Sequence, residues 1–303
     1  MKSLGSGTVN LLTRRKAMRV HPTALTCNWM SIDDGGTTWI LRSRMRAPRL
    51  PVANMPARMC RLILLPWCAC TALVSTAHFF DGIACELSRN YRVIAYDRRG
   101  CGDSSDAADD SYDLAAQAAD LQAVIEHVGA PANVLAHSAG TLVALELLRT
   151  EPHLVARAIL HEPAVSAEGV GMGAAPVLLD MIAAGKVSRA LRLFLGALGD
   201  LDPEAPGTTE AEVKHALRNG RCFMANEYGT NMTYVPNWDS VCASKSVAAV
   251  LLGELSVDTP REAGTRAAAE YLDCPLVTIP GAHNGLRDRP VTAANAVRDV
   301  LER

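Results

Sequence analysis

The sequence predicts an α/β fold: a mostly parallel central sheet with helices on both faces and an inserted helical lid. Three observations carry that expectation. From residue 61 onward, short apolar runs alternate with longer segments of helical spacing, the pattern of a parallel sheet covered on both sides. The alternation stops between Pro163 and Lys245, where helical patterns dominate, and then resumes. The run Asn133-Val134-Leu135-Ala136 passes through His137-Ser138-Ala139-Gly140 into the helical pattern of Thr141 to Arg149. A serine among small residues thus sits on a tight strand-to-helix turn, a layout that lifts a hydroxyl clear of a sheet.

At 303 residues, 49% of them hydrophobic, the chain can bury one large core with an insertion. The expected divisions are a basic, unstructured tail over 1–29, a first core segment over 30–163, a helical lid over 164–245 and a second core segment over 246–303. Met30 to Leu41 reads as a hairpin around an Asp-Gly-Gly turn. Leu62-Ile63-Leu64-Leu65 reads as a buried strand, His78 to Leu87 as a helix and Tyr91 to Asp97 as the next strand. A glycine-punctuated loop, Arg98 to Ser104, follows. Ser111 to Val128 places Leu114, Ala118, Leu121, Val124, Ile125 and Val128 at helical spacing. After the serine turn and its helix comes the strand Ala156 to Glu162. The insertion carries the helical patterns Ala175–Ala184, Val187–Leu198 and Glu210–Asn219. The strand Val247–Leu252, helix Arg261–Leu272, strand Leu276–Ile279 and helix Pro290–Leu301 complete the chain. A helical insertion of this kind covers the carboxyl edge of the sheet, where open α/β sheets bind ligands.

Charge is unevenly placed. Residues 1–61 hold 11 of the 30 Lys and Arg but only 2 of the 32 acids, so that segment carries +9 and the remainder −11. The basic segment lacks interleaved aromatics and regular spacing, so it reads as a solvated tail rather than a nucleic-acid or membrane contact. Nine cysteines lack metal-ligand spacing, with Cys68 and Cys70 the one close pair. They read as reduced thiols of a cytoplasmic protein, with no metal site. The apolar run Leu62 to Val74 is too short to span a bilayer and contains Pro66.

Ser138 needs a base to act as a nucleophile, and the base needs an orienting group. His283 follows the last strand in Pro280-Gly281-Ala282-His283-Asn284-Gly285, where flanking glycines free the loop to reach the sheet edge. Of the other histidines, His137 and His161 alternate with Ser138 and Glu162 along their strands and are set aside on that ground. His21, His78, His127, His153 and His215 fall in the tail, helices or loops.

With the Asp97–Ser104 loop, the turn at Ser138, the helical insertion and His283 in place, residues 62–303 resemble the α/β-hydrolase fold superfamily, its serine-nucleophile esterase or lactonase branch. The resemblance implies a serine hydrolase acting on a moderately apolar carboxylic ester or lactone, without an organic cofactor or metal. It departs from the common pattern twice. The usual acid would stand where Gly253-Glu254-Leu255-Ser256 places a serine. Some branches carry the acid at the end of the strand after the nucleophile helix, which here is Glu162, 24 residues past Ser138. A carboxylate ending a buried strand requires a partner, and an imidazolium at His283 would supply it. Glu162 is therefore the expected acid, Asp258 the reserve and Glu254 third. The backbone N–H of Ala139 is one expected oxyanion donor. The usual His-Gly loop is replaced by Pro66-Trp67-Cys68-Ala69, which leaves Trp67 or Cys68 for the second donor; some lactone hydrolases also begin this loop with proline. Met172, Leu178, Met181, Leu195 and Phe223 are candidates for an apolar acyl pocket. Two further readings stay open: a non-catalytic binding member of the fold, and a carbon–carbon hydrolase or perhydrolase using the same residues.

Overall fold

The computed structural model describes residues 26–32, 38–44, 62–66, 77–99, 101, 104, 112–172, 175–198 and 217–303. Strands β1 (Thr26–Ile32), β2 (Thr38–Arg44), β3 (Leu62–Pro66), β4 (Arg92–Tyr96), β5 (Ala132–His137), β6 (Val155–His161), β7 (Val247–Gly253) and β8 (Leu276–Ile279) form one sheet in the order β1-β2-β4-β3-β5-β6-β7-β8. β1 and β2 pair antiparallel, and the other neighbours pair parallel. β1 opens at Thr26, inside the stretch expected to be an unstructured tail. Residues 1–25 of that expectation, and the Asp-Gly-Gly turn, lie outside the described residues.

The central strands read as apolar runs because both faces are covered. In β5 every residue but Asn133 is buried, and the last four of β6 are buried as well. Helix α1 (Asp81–Leu87) follows a short 3-10 turn (Ala77–Phe80), so the predicted helix from His78 begins in the tighter form. α2 (Leu114–Val128) is capped by Asp113, whose side chain accepts the Ala116 N–H at 2.6 Å. That cap holds an amide the helix itself cannot satisfy. α3 (Gly140–Thr150) is buried from Gly140 to Leu148, as a helix packed on the sheet beneath another layer must be. The remaining helices are α4 (Pro176–Ala183), α5 (Val187–Leu198), α6 (Tyr228–Thr233), α7 (Trp238–Ser244), α8 (Pro260–Tyr271), α9 (Gly285–Asp288) and α10 (Pro290–Glu302). α1 packs with α9 and α10, while α3 packs with α2 and α7.

Between β6 and β7 the described elements are helical, apart from an isolated bridge of Val165 with Gly171. Most of the predicted helix Glu210–Asn219 lies outside the described residues; 217–222 is helical and continues into a π-helical turn, Phe223–Glu227. The turn fixes Glu227 in the interior. Its carboxylate, 0% exposed, pairs with the Arg98 guanidinium at 2.9 Å and accepts from Gln117 Nε2 at 3.4 Å. Arg98 also bonds the Gln117 side chain. A buried ion pair of this kind, braced by a third polar side chain, ties the helical insertion to the loop after β4.

Candidate active site

Ser138 and Glu162 each follow the last residue of adjacent parallel strands. β5 ends at His137 and β6 at His161, and those two residues are register partners. Ser138 (φ 52°) and Glu162 (φ 43°) both occupy the left-handed region, which costs a non-glycine residue on the order of 1–3 kcal/mol. Backbone bonds on both sides hold them there. Ser138 N–H donates to His161 O at 2.9 Å, and Glu162 N–H donates to Leu251 O at 3.0 Å. The Ser138 carbonyl accepts Thr141 N–H at 2.9 Å and also the Thr141 hydroxyl. Buried Ala139 caps α3 immediately after the serine. Amides in this first turn have no acceptor within the helix.

His283 arrives from β8, two strands beyond Glu162. Gly281 at φ 97° turns the chain back after Ile279, a conformation that suits glycine. The loop is tied to the turn after β7: Leu255 N–H donates to Gly281 O at 3.0 Å, and Gly281 N–H donates to Glu254 Oε1 at 3.4 Å. His283 Nδ1 meets Glu162 Oε2, with both residues 1% exposed. Glu162 Oε1 accepts the Gly253 N–H at 2.9 Å. Burial alone would raise the Glu162 carboxyl. The charge of His283, its hydrogen bond, His161 and the Ser256 hydroxyl outweigh burial and hold it well below the usual carboxylate range. Buried Ser256 faces this carboxylate without completing a hydrogen bond to it. The other ring nitrogen of His283, Nε2, is buried and without a hydrogen-bond partner among the described residues.

The remaining sequence candidates are placed as follows. Asp258 is exposed, and its backbone N–H donates to Glu262 Oε2 at 2.7 Å; it makes no contact with His283 like that of Glu162. Glu254 is exposed and touches only the backbone of the histidine loop. Trp67 and Cys68 lie outside the described residues. Met172 is 41% exposed, whereas Leu178 and Phe223 are buried and Met181 is half-buried. The side chain of Leu195 lies outside the described residues.

Strand alternation set His137 and His161 aside as the base; the structure brings both rings near His283, which is the histidine that meets Glu162. His137 stacks on Phe79 at 4.9 Å and on His161 at 5.0 Å, and its ring lies 4.5 Å from that of His283. A signal was present: the two histidines are separated by the same 24 residues as Ser138 and Glu162. The buried Arg98–Glu227 pair had no comparable signal, because its partners are far apart in the chain.

The family model for the alpha/beta hydrolase fold matches residues 68–202. Among solved structures, the α/β-hydrolase enzyme MGS-M2 from a Medee basin deep-sea metagenome library superposes with a TM-score of 0.61 at 20% identity, covering 83% of this chain and 92% of its own. A thermophilic esterase from Thermogutta terrifontis gives a TM-score of 0.59 at 21% identity, covering 80% and 90%. The chain therefore has the α/β-hydrolase fold, and residues 68–202 match that family's model. Sequence relatives include two proteins named "Putative carbamate hydrolase RutD". The one from Cronobacter sakazakii is 40% identical over 75 residues, 24% of this chain and 28% of the relative. The one from Variovorax paradoxus is 36% identical over 87 residues, 28% of this chain and 33% of the relative. The matched stretch thus spans about a third or less of these relatives.

Among the described residues, no helix is long and apolar enough to cross a membrane, and no cluster of His, Cys, Asp or Glu could hold a metal ion.

Proposed function

We propose that the protein is a serine hydrolase that cleaves a carboxylic ester or lactone through an acyl-enzyme intermediate. The observation that carries the reading is the buried contact of His283 Nδ1 with Glu162 Oε2, taken with a serine held in the left-handed turn between β5 and α3. With Nδ1–H donated to Glu162, Nε2 is left as a bare lone pair able to take a proton from Ser138. Ser138 Oγ then attacks the acyl carbon, and the carbonyl electrons move onto oxygen, where the Ala139 N–H and a second donor from the Trp67–Cys68 loop bind the oxyanion. The imidazolium of His283 returns its proton to the leaving alcohol as the ester bond breaks. A water deprotonated by His283 releases the acid and restores the serine.

In this reading the helical insertion acts as a lid, with Leu178, Met181 and Phe223 toward an apolar acyl group. The name borne by the RutD relatives points to a second substrate for the same acyl chemistry, a carbamate. No cofactor takes part, and the compartment is the cytoplasm.

A fluorophosphonate probe tests the reading. Wild-type protein is expected to label and to hydrolyse p-nitrophenyl esters, and Ser138→Ala is expected to do neither. Folded wild-type protein that neither labels nor turns over would favour a binding member of the fold.

A further inference from the structure

His137 and His161 are buried, titratable and unused in the mechanism above. Each is 0% exposed. Their Nδ1 atoms lie 2.9 Å apart, so one ring carries its proton at Nδ1 and the other accepts there. Burial, which opposes a charged ring, comes first in holding both down: His137 well below the ordinary imidazole value and His161 to about 4. The repulsion of His283 adds to it for both, whereas Glu162 acts in the opposite direction on His161. Both rings are therefore neutral at physiological pH. His161 Nε2 is buried without a partner among the described residues. A stranded N–H costs more than a bare acceptor, which assigns the shared proton to His161 Nδ1 and makes His137 Nδ1 the acceptor.

The pair lies against the base. His137 immediately precedes Ser138 in the chain, and its ring lies against His283 at 4.5 Å, tilted by 43°. Phe79 covers one face of the His137 ring and His161 stacks beside it. The bond to His161 adds a directional contact to the packing that holds the His137 ring. An apolar shelf would lack this contact. A charged one would oppose the imidazolium that His283 must form.

We propose that His161 is a positioning residue: by hydrogen-bonding His137 it fixes the surface against which the His283 ring is held relative to Ser138. The proposal rests on the reading of Ser138, Glu162 and His283 as the reacting set. The charged or titratable groups facing the cluster are Glu162 and His283, together with Arg261 of α8 and Arg287 of α9. Glu254 reaches the backbone of the histidine loop. Changing residue 161 also removes its influence on the Glu162 carboxyl, which His161→Asn and the apolar variants share.

The test compares His161→Leu, His161→Phe and His161→Asn in p-nitrophenyl ester hydrolysis, with proton NMR of the His283 Nδ1–H. The apolar variants are expected to lower kcat by about tenfold or more with KM nearly unchanged, as loss of alignment does. Their His283 Nδ1–H resonance should shift or broaden. His161→Asn, whose amide reaches the position of Nδ1, should restore most of kcat and the resonance. A folded apolar variant with wild-type kcat and an unmoved resonance overturns the proposal. Should neither apolar variant fold, nitrogen-15 NMR of the wild type decides: a neutral pair sharing one Nδ1 proton supports the proposal, and a protonated pair at neutral pH overturns it. Ser138→Ala is run alongside. Activity surviving in that variant sinks the underlying reading, whereas its loss together with normal His161→Leu turnover sinks only this proposal.

Discussion

Glu162 Oε1 accepts the backbone N–H of Gly253 at 2.9 Å, so the carboxylate that engages His283 is also fastened to the neighbouring strand. The acid leaves β6, but its second oxygen is held by the end of β7. That bond explains how a carboxylate from β6 keeps a fixed orientation toward a histidine from β8.

Replacing Glu162 by Gln is therefore expected to reduce kcat by about 10³- to 10⁴-fold, because an amide does not hold His283 in the tautomer that leaves Nε2 bare. Asp258→Asn, on an exposed side chain, should stay near wild type. Steady-state hydrolysis of a p-nitrophenyl ester by the two purified variants checks the pair, and the reverse order would move the acid to Asp258.

Gly253 is also a point of close approach. A Cβ there would stand 2.7 Å from Gly281 O and 2.9 Å from Ala282 O, both backbone atoms of the histidine loop. Backbone cannot yield as a side chain tip can, so Gly253→Ala should displace His283. The expected outcome is a loss of about 1–3 kcal/mol in urea unfolding, accompanied by a lower kcat. A variant with wild-type stability and turnover would show that the loop gives way freely.

Acid should destabilise the protein in a defined window. His161 has an ordinary value of 6.5 and a folded value of about 4. Between these values the unfolded chain binds a proton that the folded protein refuses. Its contribution is fully present above pH 6.5 and is lost as pH falls toward 4, by about 3 kcal/mol in all. Glu162, held below the ordinary carboxylate value of 4.5, extends the loss at lower pH. Urea unfolding across this range should show the decline, with a shallower slope for His161→Asn; equal slopes would assign the decline to other groups.

The Arg98–Glu227 pair is 1% and 0% exposed at its side chains. Arg98→Met should cost about 3–5 kcal/mol, since it strands the Glu227 carboxylate inside the protein. The double variant Arg98→Met/Glu227→Leu should recover most of that loss, because no buried charge is left over. Thermal unfolding of the single and double variants distinguishes a stranded charge from simple loss of packing, which would make the double variant the worse of the two.

The sequence by itself determined most of the local elements. Apolar runs and helical spacing located β3 to β8 and helices α1 to α5, α8 and α10, because those periods follow from covering a sheet on both faces; α6 and α7 are not among them. The small residues around Ser138 marked its turn, and Glu162 before Pro163 marked a strand end needing a partner. Tertiary structure alone decided what lies across strands. The expected partner Glu162 reaches His283 because Gly281 turns the β8 loop back toward the β7 turn. His137 and His161 come against that histidine because the strands that end in them are register partners. Arg98 meets Glu227 across 129 residues of chain, and no local period records a contact of that length.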